Sequence, residues 1–291
     1  MDARFLTVFY FRLLLLTLLS WPLFAAQDSI VLVAEKNTSA INKLLNQLTE
    51  IAPEFSYSVS TRKKPVTVDS DAYVIVMGAK PSTHFDFSKY PNRIAVMVTA
   101  EQSRTANANT SIFIEPPLTR QLKLANLLVP GNKKLGLLVN NTQDMNKTLM
   151  TLTKKEQSLL KVVNIADYEN INQALFHVLK GTRLLLGNYN NEIYNAKNIK
   201  NILITSYRQQ KVLIGPSRAY LKAGSFATTF SDLSHIARRI IDVVQGHQKS
   251  GEWLKADYNP YYRILFNKQV ARSLNIRVLN DDVLLQQMGD K

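Results

Sequence analysis

Nearly continuous apolar runs recur along the chain and alternate with longer segments whose apolar positions are spaced three or four apart. Residues 30–34, Tyr73–Met77, Arg93–Val98, 111–114, 135–139, 160–165 and Thr182–Leu186 read as short strands. Runs without polar alternation fit strands covered on both faces. Phe55, Tyr57 and Val59 alternate as a further strand. Ile41, Leu44, Leu45, Leu48 and Ile51 trace one helix face, with Asn37, Thr38 or Ser39 as its cap and Pro53 beyond its end. Residues 118–128, 143–157 and 170–179 carry the same helical spacing, and 84–90 reads as a loop or a single turn. The clearest amphipathic helix spans 231–245, with Leu233, Ile236, Ala237, Ile240, Ile241 and Val244 on one face, Ser231 as its cap and Gly246 at its end. Strands alternating with helices at this spacing predict βαβ units, parallel sheets and an α/β fold.

The pattern breaks at Glu115-Pro116-Pro117, because a double proline continues neither a strand nor a helix interior. This is read as a passage between two domains. A second passage is expected at the small residues Ala223-Gly224-Ser225.

The block after Thr182–Leu186 is the most specific. A Gly-Asn turn leads into a polar helix ending in Ile202-Leu203-Ile204-Thr205-Ser206-Tyr207-Arg208. Then come Val212-Leu213-Ile214-Gly215-Pro216-Ser217-Arg218-Ala219-Tyr220, Lys222-Ala223-Gly224 and a short run over 226–230. With Ile264-Leu265-Phe266-Asn267-Lys268-Gln269-Val270-Ala271 and Leu274-Asn275-Ile276, these residues resemble the substrate-binding proteins of ABC transporters, in the branch that includes aromatic amino acid binders. The resemblance covers most of the chain and is strongest from Leu184 onward. It implies two Rossmann-like parallel-sheet domains joined by a three-crossing hinge, the type I periplasmic binding architecture. On this reading, residues 27–116 with 221–250 form an N-terminal lobe, and 117–220 with 251–291 a C-terminal lobe. The third passage falls within 251–262, followed by a strand over Arg263–Phe266 and a helix over 268–274.

Composition agrees with a folded chain of two domains: 291 residues, 46% hydrophobic and 20% charged. Residues 1–26 have the layout of a secretory signal peptide, with Arg4 and Arg12 flanking the leucine-rich run 13–19 and small Ala25-Ala26 before Gln27. The expected location is the periplasm. The chain has no cysteine, which excludes disulfides, thiol nucleophiles and a lipobox. The net charge of +14 is spread in pairs such as Lys133-Lys134 and Arg238-Arg239, as on a solubilising surface, and no nucleic-acid motif accompanies it.

Enzyme signatures are absent: the chain holds no G-x-S-x-G, P-loop, G-x-G-x-x-G or H-E-x-x-H, and its histidines, His84, His177, His235 and His247, are scattered. Neither catalysis, a metal nor a cofactor is expected. In parallel α/β sheets ligands bind beyond the carboxyl ends of strands, beside helix N-termini. The loops at those ends supply Asn37, Thr38, Gly78, Ala79, Thr99, Asn141, Asn188, Ser217 and Arg218 as candidate ligand contacts. The Asn, Ser and Thr side chains offer compact donors and acceptors, Gly78-Ala79 lets a ligand approach the backbone, and Arg218 suits a carboxylate. The resemblance implies capture of a small polar or amphipathic metabolite by hinge closure, and delivery to an inner-membrane ABC permease. Members of that family commonly carry an Asp-Pro pair where this chain reads Val98-Thr99-Ala100-Glu101-Gln102. With the basic surface, this leaves a second use open, an envelope protein-interaction or regulatory module with a protein partner and no transport.

Overall fold

The computed structural model describes residues 28–67, 69–78, 86–277 and 280–289. The leader 1–26, Ala79 and His84 lie outside the described residues.

Two six-stranded sheets are flanked by helices. The first lobe opens with β1 (Ser29–Ala34), α1 (Ser39–Ile51) and β2 (Ser56–Thr61). It continues through β3 (Tyr73–Met77), β4 (Arg93–Val98), the short α2 (Ala100–Ser103) and β5 (Thr110–Phe113). The second lobe runs α3 (Leu118–Leu128), β6 (Lys134–Val139), α4 (Thr142–Met150), α5 (Lys154–Ser158), β7 (Leu160–Asn164), α6 (Ile171–Leu179) and β8 (Thr182–Leu186). Then follow α7 (Ile199–Arg208), β9 (Leu213–Ile214), α8 (Arg218–Ala223) and β10 (Ala227–Phe230). The chain ends with α9 (Leu233–Ser250), β11 (Asp257–Tyr258), β12 (Arg263–Phe266), α10 (Lys268–Ser273) and α11 (Asp281–Met288).

The first sheet has the order β11-β5-β4-β3-β1-β2 and is parallel throughout. The second has the order β12-β10-β9-β8-β6-β7 and is parallel except for the antiparallel pair β10–β12. Central strands are apolar on both faces because helices cover both: Ile30, Leu32, Ile75 and Ile94 face one core of the first lobe, while Val31, Val33 and Val74 face another.

The lobes exchange strands differently from the sequence expectation. The first passage does fall at Glu115-Pro116-Pro117, with Pro117 starting α3 at φ −62°, an angle its ring imposes. The second was expected at Ala223-Gly224-Ser225, but those residues turn the chain within the second lobe. Gly224 ends α8 in the left-handed region, φ 118°, and β10 then pairs with β9. The passage comes later, at 231–232, and α9 returns to the first lobe, packing Ile236, Ala237, Ile240 and Val244 against Ile41, Leu44 and Leu48. The third comes at 259–262, after β11 has paired with β5. Thus 227–230 belongs to the second sheet and 257–258 to the first.

The passages are laced together. Ser231 Oγ donates to the Tyr261 carbonyl (2.6 Å), Asn259 Nδ2 to the His235 carbonyl (3.1 Å) and an Arg120 NH2 to the Asn259 carbonyl (2.9 Å). Asp232 pairs with Arg263 at 2.9 Å.

Local chemistry accounts for other departures. The helix expected over 143–157 is two, because Thr153 and Glu156 form a reciprocal capping box that starts α5. The amphipathic helix is capped by Asp232, not Ser231, and runs past Gly246 to Gly251, φ 70°. The polar helix before Ile202 is confined to α7. Ahead of it, Asn190 Oδ1 accepts from the amides of Glu192 and Ile193, and Asn195 Oδ1 from those of Lys197 and Asn198, holding turns in place of a helix.

Candidate functional site

A cleft of about 490 Å³ lies between the lobes, at the carboxyl ends of the strands. That volume is within the range of small-molecule sites, roughly 300–1,000 Å³. The first-lobe wall carries Thr99, Glu101, Arg104, Glu115 and Tyr258. The second-lobe wall carries Asn140, Asn141, Asp144, Lys147, Asn188, Tyr189 and Glu192, with Gly187 and Pro216 at the ends of β8 and β9.

A bulge aims the first wall. Met97 adopts φ 58°, and the β4–β5 register shifts between Val96 and Val98. Such an extra residue bends a strand, and here it leads directly into the α2 turn. Thr99 caps that turn in a capping box with Gln102, accepting from its amide at 3.1 Å. On the second wall, Asn141 caps α4 by accepting from the Asp144 amide at 2.9 Å.

Close backbone packing holds the floor. A Cβ on Gly187 would lie 2.8 Å from Pro216 Cδ and 3.0 Å from the Ile214 carbonyl; on Gly215 it would lie 2.6 Å from Ser225 Oγ. Beneath them Gln121, 1% exposed, donates to the Gly215 carbonyl (2.9 Å) and accepts from Thr229 Oγ1 (3.1 Å).

Three buried oxygens at the cleft have no partner among the described residues: Glu115 Oε2, Asn140 Oδ1 and Asn188 Oδ1. The other Glu115 oxygen accepts from the Ala100 amide at 2.6 Å. Burial pushes the Glu115 carboxyl above its usual range, and that amide bond only partly offsets it. Burial, and then the Glu115 charge, push the Tyr189 and Tyr258 hydroxyls up as well.

Of the residues named from the sequence, Thr99, Asn141 and Asn188 line the cleft. The first two are also helix caps. Asn37, Thr38, Gly78, Ser217 and Arg218 are not among the residues lining this cavity. Thr38 caps α1, the Gly78 amide donates to the Val96 carbonyl, Ser217 precedes α8, and the Arg218 guanidinium stands 5.5 Å from the centre of the Phe230 ring. Ala79 is outside the described residues. Asn140 and Tyr189 lie in loops that the sequence pointed to without singling them out, and Glu115 and Tyr258 lie outside those loops. Glu115 was read only as part of a proline passage, although a carboxylate beside two strand ends was the available signal.

No family model matches the chain, and no curated protein matches it in sequence. Solved structures do match its architecture. A ligand-free, open substrate-binding protein with adhesive properties from Clostridium difficile aligns over 88% of this chain and 97% of its own, with TM-score 0.63 and 10% identity. The chain has the type I periplasmic binding fold. An ABC domain in complex with L-Trp from Streptococcus pneumonia shares that periplasmic binding fold over 90% of this chain and 98% of its own, with TM-score 0.51 and 14% identity. A conserved domain protein from Vibrio cholerae aligns to the same extent, with TM-score 0.52 and 14% identity. At these identities the periplasmic binding fold is shared while the cleft-lining residues are this chain's own.

Proposed function

We propose that this protein is an exported solute-binding protein. It captures a small polar or amphipathic metabolite between its lobes and hands it to an ABC-type importer in the inner membrane. The observation that carries this reading is the interlobe cleft, flanked by three chain passages and lined by polar side chains from both walls. Closure of two lobes on a solute excludes water and strengthens each polar contact, which is how a hinge converts binding into a shape a permease can read. The substrate-binding protein and the L-Trp-bound ABC domain among the structural neighbours support it. We place the protein in the periplasm, on the layout of residues 1–26. Among the candidate contacts, Thr99, Asn141 and Asn188 are retained, joined by Glu115, Asn140, Tyr189 and Tyr258.

The test is thermal denaturation of the purified protein across amino acids, nucleosides, amines and sugars. A concentration-dependent rise in Tm with one class, accompanied by a smaller radius of gyration in X-ray scattering, is the expected result. No shift with any member of the panel overturns the proposal.

A further inference from the structure

The cleft is a place where the chain's charge and its unmet hydrogen bonds both depart from the rest of the molecule. The protein carries a formal charge of +14. Yet among the described residues the carboxylates of Glu101, Glu115, Asp144 and Glu192 line the cavity against only the cations of Arg104 and Lys147. Lys147 lies 3.8 Å from Glu101, so its charge is already engaged.

The three unpartnered oxygens have a fixed polarity. Asn140 Nδ2 donates to the Glu192 carboxylate and Asn188 Nδ2 to the Leu138 carbonyl (3.4 Å). Turning either amide over would set oxygen against oxygen, so the unsatisfied atom of each is an acceptor. The ionised Glu115 carboxylate offers Oε2 as an acceptor only. Asp144 is committed otherwise, accepting from Asn190 Nδ2 at 3.0 Å. What these three oxygens lack is therefore donors. A buried acceptor without a partner costs about 1–3 kcal/mol, so an occupant that supplies the missing N–H groups recovers that cost. Tyr189 and Tyr258 add aromatic rings from opposite walls, and aromatic rings attract positive charge.

Building on the solute-binding reading, we propose that the cleft recognises a protonated primary amine, with Glu115 as its charge partner and the side-chain oxygens of Asn140 and Asn188 accepting its remaining N–H bonds. An ammonium group carries N–H donors together with a positive charge, the complement of amide oxygens and a carboxylate. A quaternary ammonium offers charge without donors, a sugar offers donors without charge, and a dicarboxylate meets like charge.

Isothermal titration calorimetry at pH 7.5 tests this with putrescine and L-tryptophan as the amine probes. Choline, glucose and succinate serve as controls. The expected result is binding of at least one amine probe and of none of the controls. Putrescine alone identifies a polycationic occupant and tryptophan alone a zwitterionic one. Glu115→Gln keeps the acceptor for the Ala100 amide and removes the charge, and it is expected to weaken amine binding at least tenfold. Asn188→Ala, which leaves the Glu115 contacts alone, weakens it by a smaller factor, with unfolding followed by circular dichroism to show that each variant is folded. If glucose, succinate or choline binds and no amine does, or if an amine binds equally well to both folded variants, the amine assignment is overturned while solute capture stands. If none of these probes binds, the amine assignment is also overturned, and the broader thermal panel decides whether solute capture survives.

Discussion

Lys147 Nζ lies 3.8 Å from Glu101 Oε1, and the two residues stand on opposite walls of the cleft. Both side chains are substantially exposed, at 42% and 82%. Such a pair contributes little to folding, about 0–1 kcal/mol, but it acts at the mouth of a hinge where little energy is needed to bias opening. Glu101→Lys is expected to leave Tm within 1–2 °C of the parent and to increase the radius of gyration of the ligand-free protein. Scattering in 1 M NaCl, where the screening length is about 3 Å, should move the parent in the same direction.

Gln121 joins the floor of the cleft to β10 through bonds to Gly215 and Thr229. Replacing it by Leu strands buried polar groups on both sides, although Gly215 keeps the Thr228 hydroxyl as a donor at 2.8 Å. Destabilisation of about 2 kcal/mol is expected in urea unfolding.

Gly187→Ala places a methyl group 2.8 Å from the Pro216 ring and 3.0 Å from a carbonyl. Neither neighbour is the free end of a flexible side chain. The expected cost is about 1–3 kcal/mol by urea unfolding, with weaker solute binding because Asn188 follows directly.

The helix start at Asp232 gives the protein a predictable acid sensitivity. Burial alone would raise the Asp232 carboxyl, but hydrogen bonds from Ser234 and the His235 amide, with the charges of His235 and Arg263, hold it below its usual range. Burial lowers the His235 pKa from 6.5, Asp232 opposing and Arg263 and Arg238 reinforcing. Both folded pKa values are depressed, so in both cases the unfolded chain takes up protons first. The stability His235 contributes is whole above pH 6.5 and is lost as pH falls through its folded pKa; that of Asp232 follows below 3.8. His235→Gln, which preserves the capping geometry, should give a shallower fall in Tm from pH 7 to pH 5.

Glu115 has the opposite sign. Its folded pKa is raised above 4.5, so the folded protein binds the proton first and the ligand-free protein gains stability as pH falls towards 4.5 through that window. At pH 7.5 Glu115→Gln should therefore raise the Tm of the empty protein. A lower Tm would mean that the carboxylate is held favourably in the empty cleft.

The sequence made the interior of each lobe readable, because runs such as Ile30 to Ala34 and the face of Ile236, Ile240 and Val244 leave no other burial pattern. The passages were less so. Ala227 to Phe230 is a short run after Gly-Ser, and only its pairing with β9 and β12 assigns it to the second sheet. β11 is two residues long, too short for any periodicity to mark it. Thr99, Asn141 and Asn188 line the cleft because small polar residues just after strands face that end of the sheet. Glu115 and Tyr258 were not legible in that way, because they come from passages whose positions depend on the pairing itself.

Neither lobe is a single stretch of chain. The first lobe's core is closed by α9, whose Ile236, Ile240 and Val244 lie far downstream of the Ile41, Leu44 and Leu48 they cover, and its edge strand β11 comes later still. A polypeptide that emerges from its amino end must therefore lay down most of the second lobe before the first can bury its apolar surface. The half that is begun first stays unfinished until about residue 258 has appeared, and until then it is a natural client for a chaperone that holds unfolded chains.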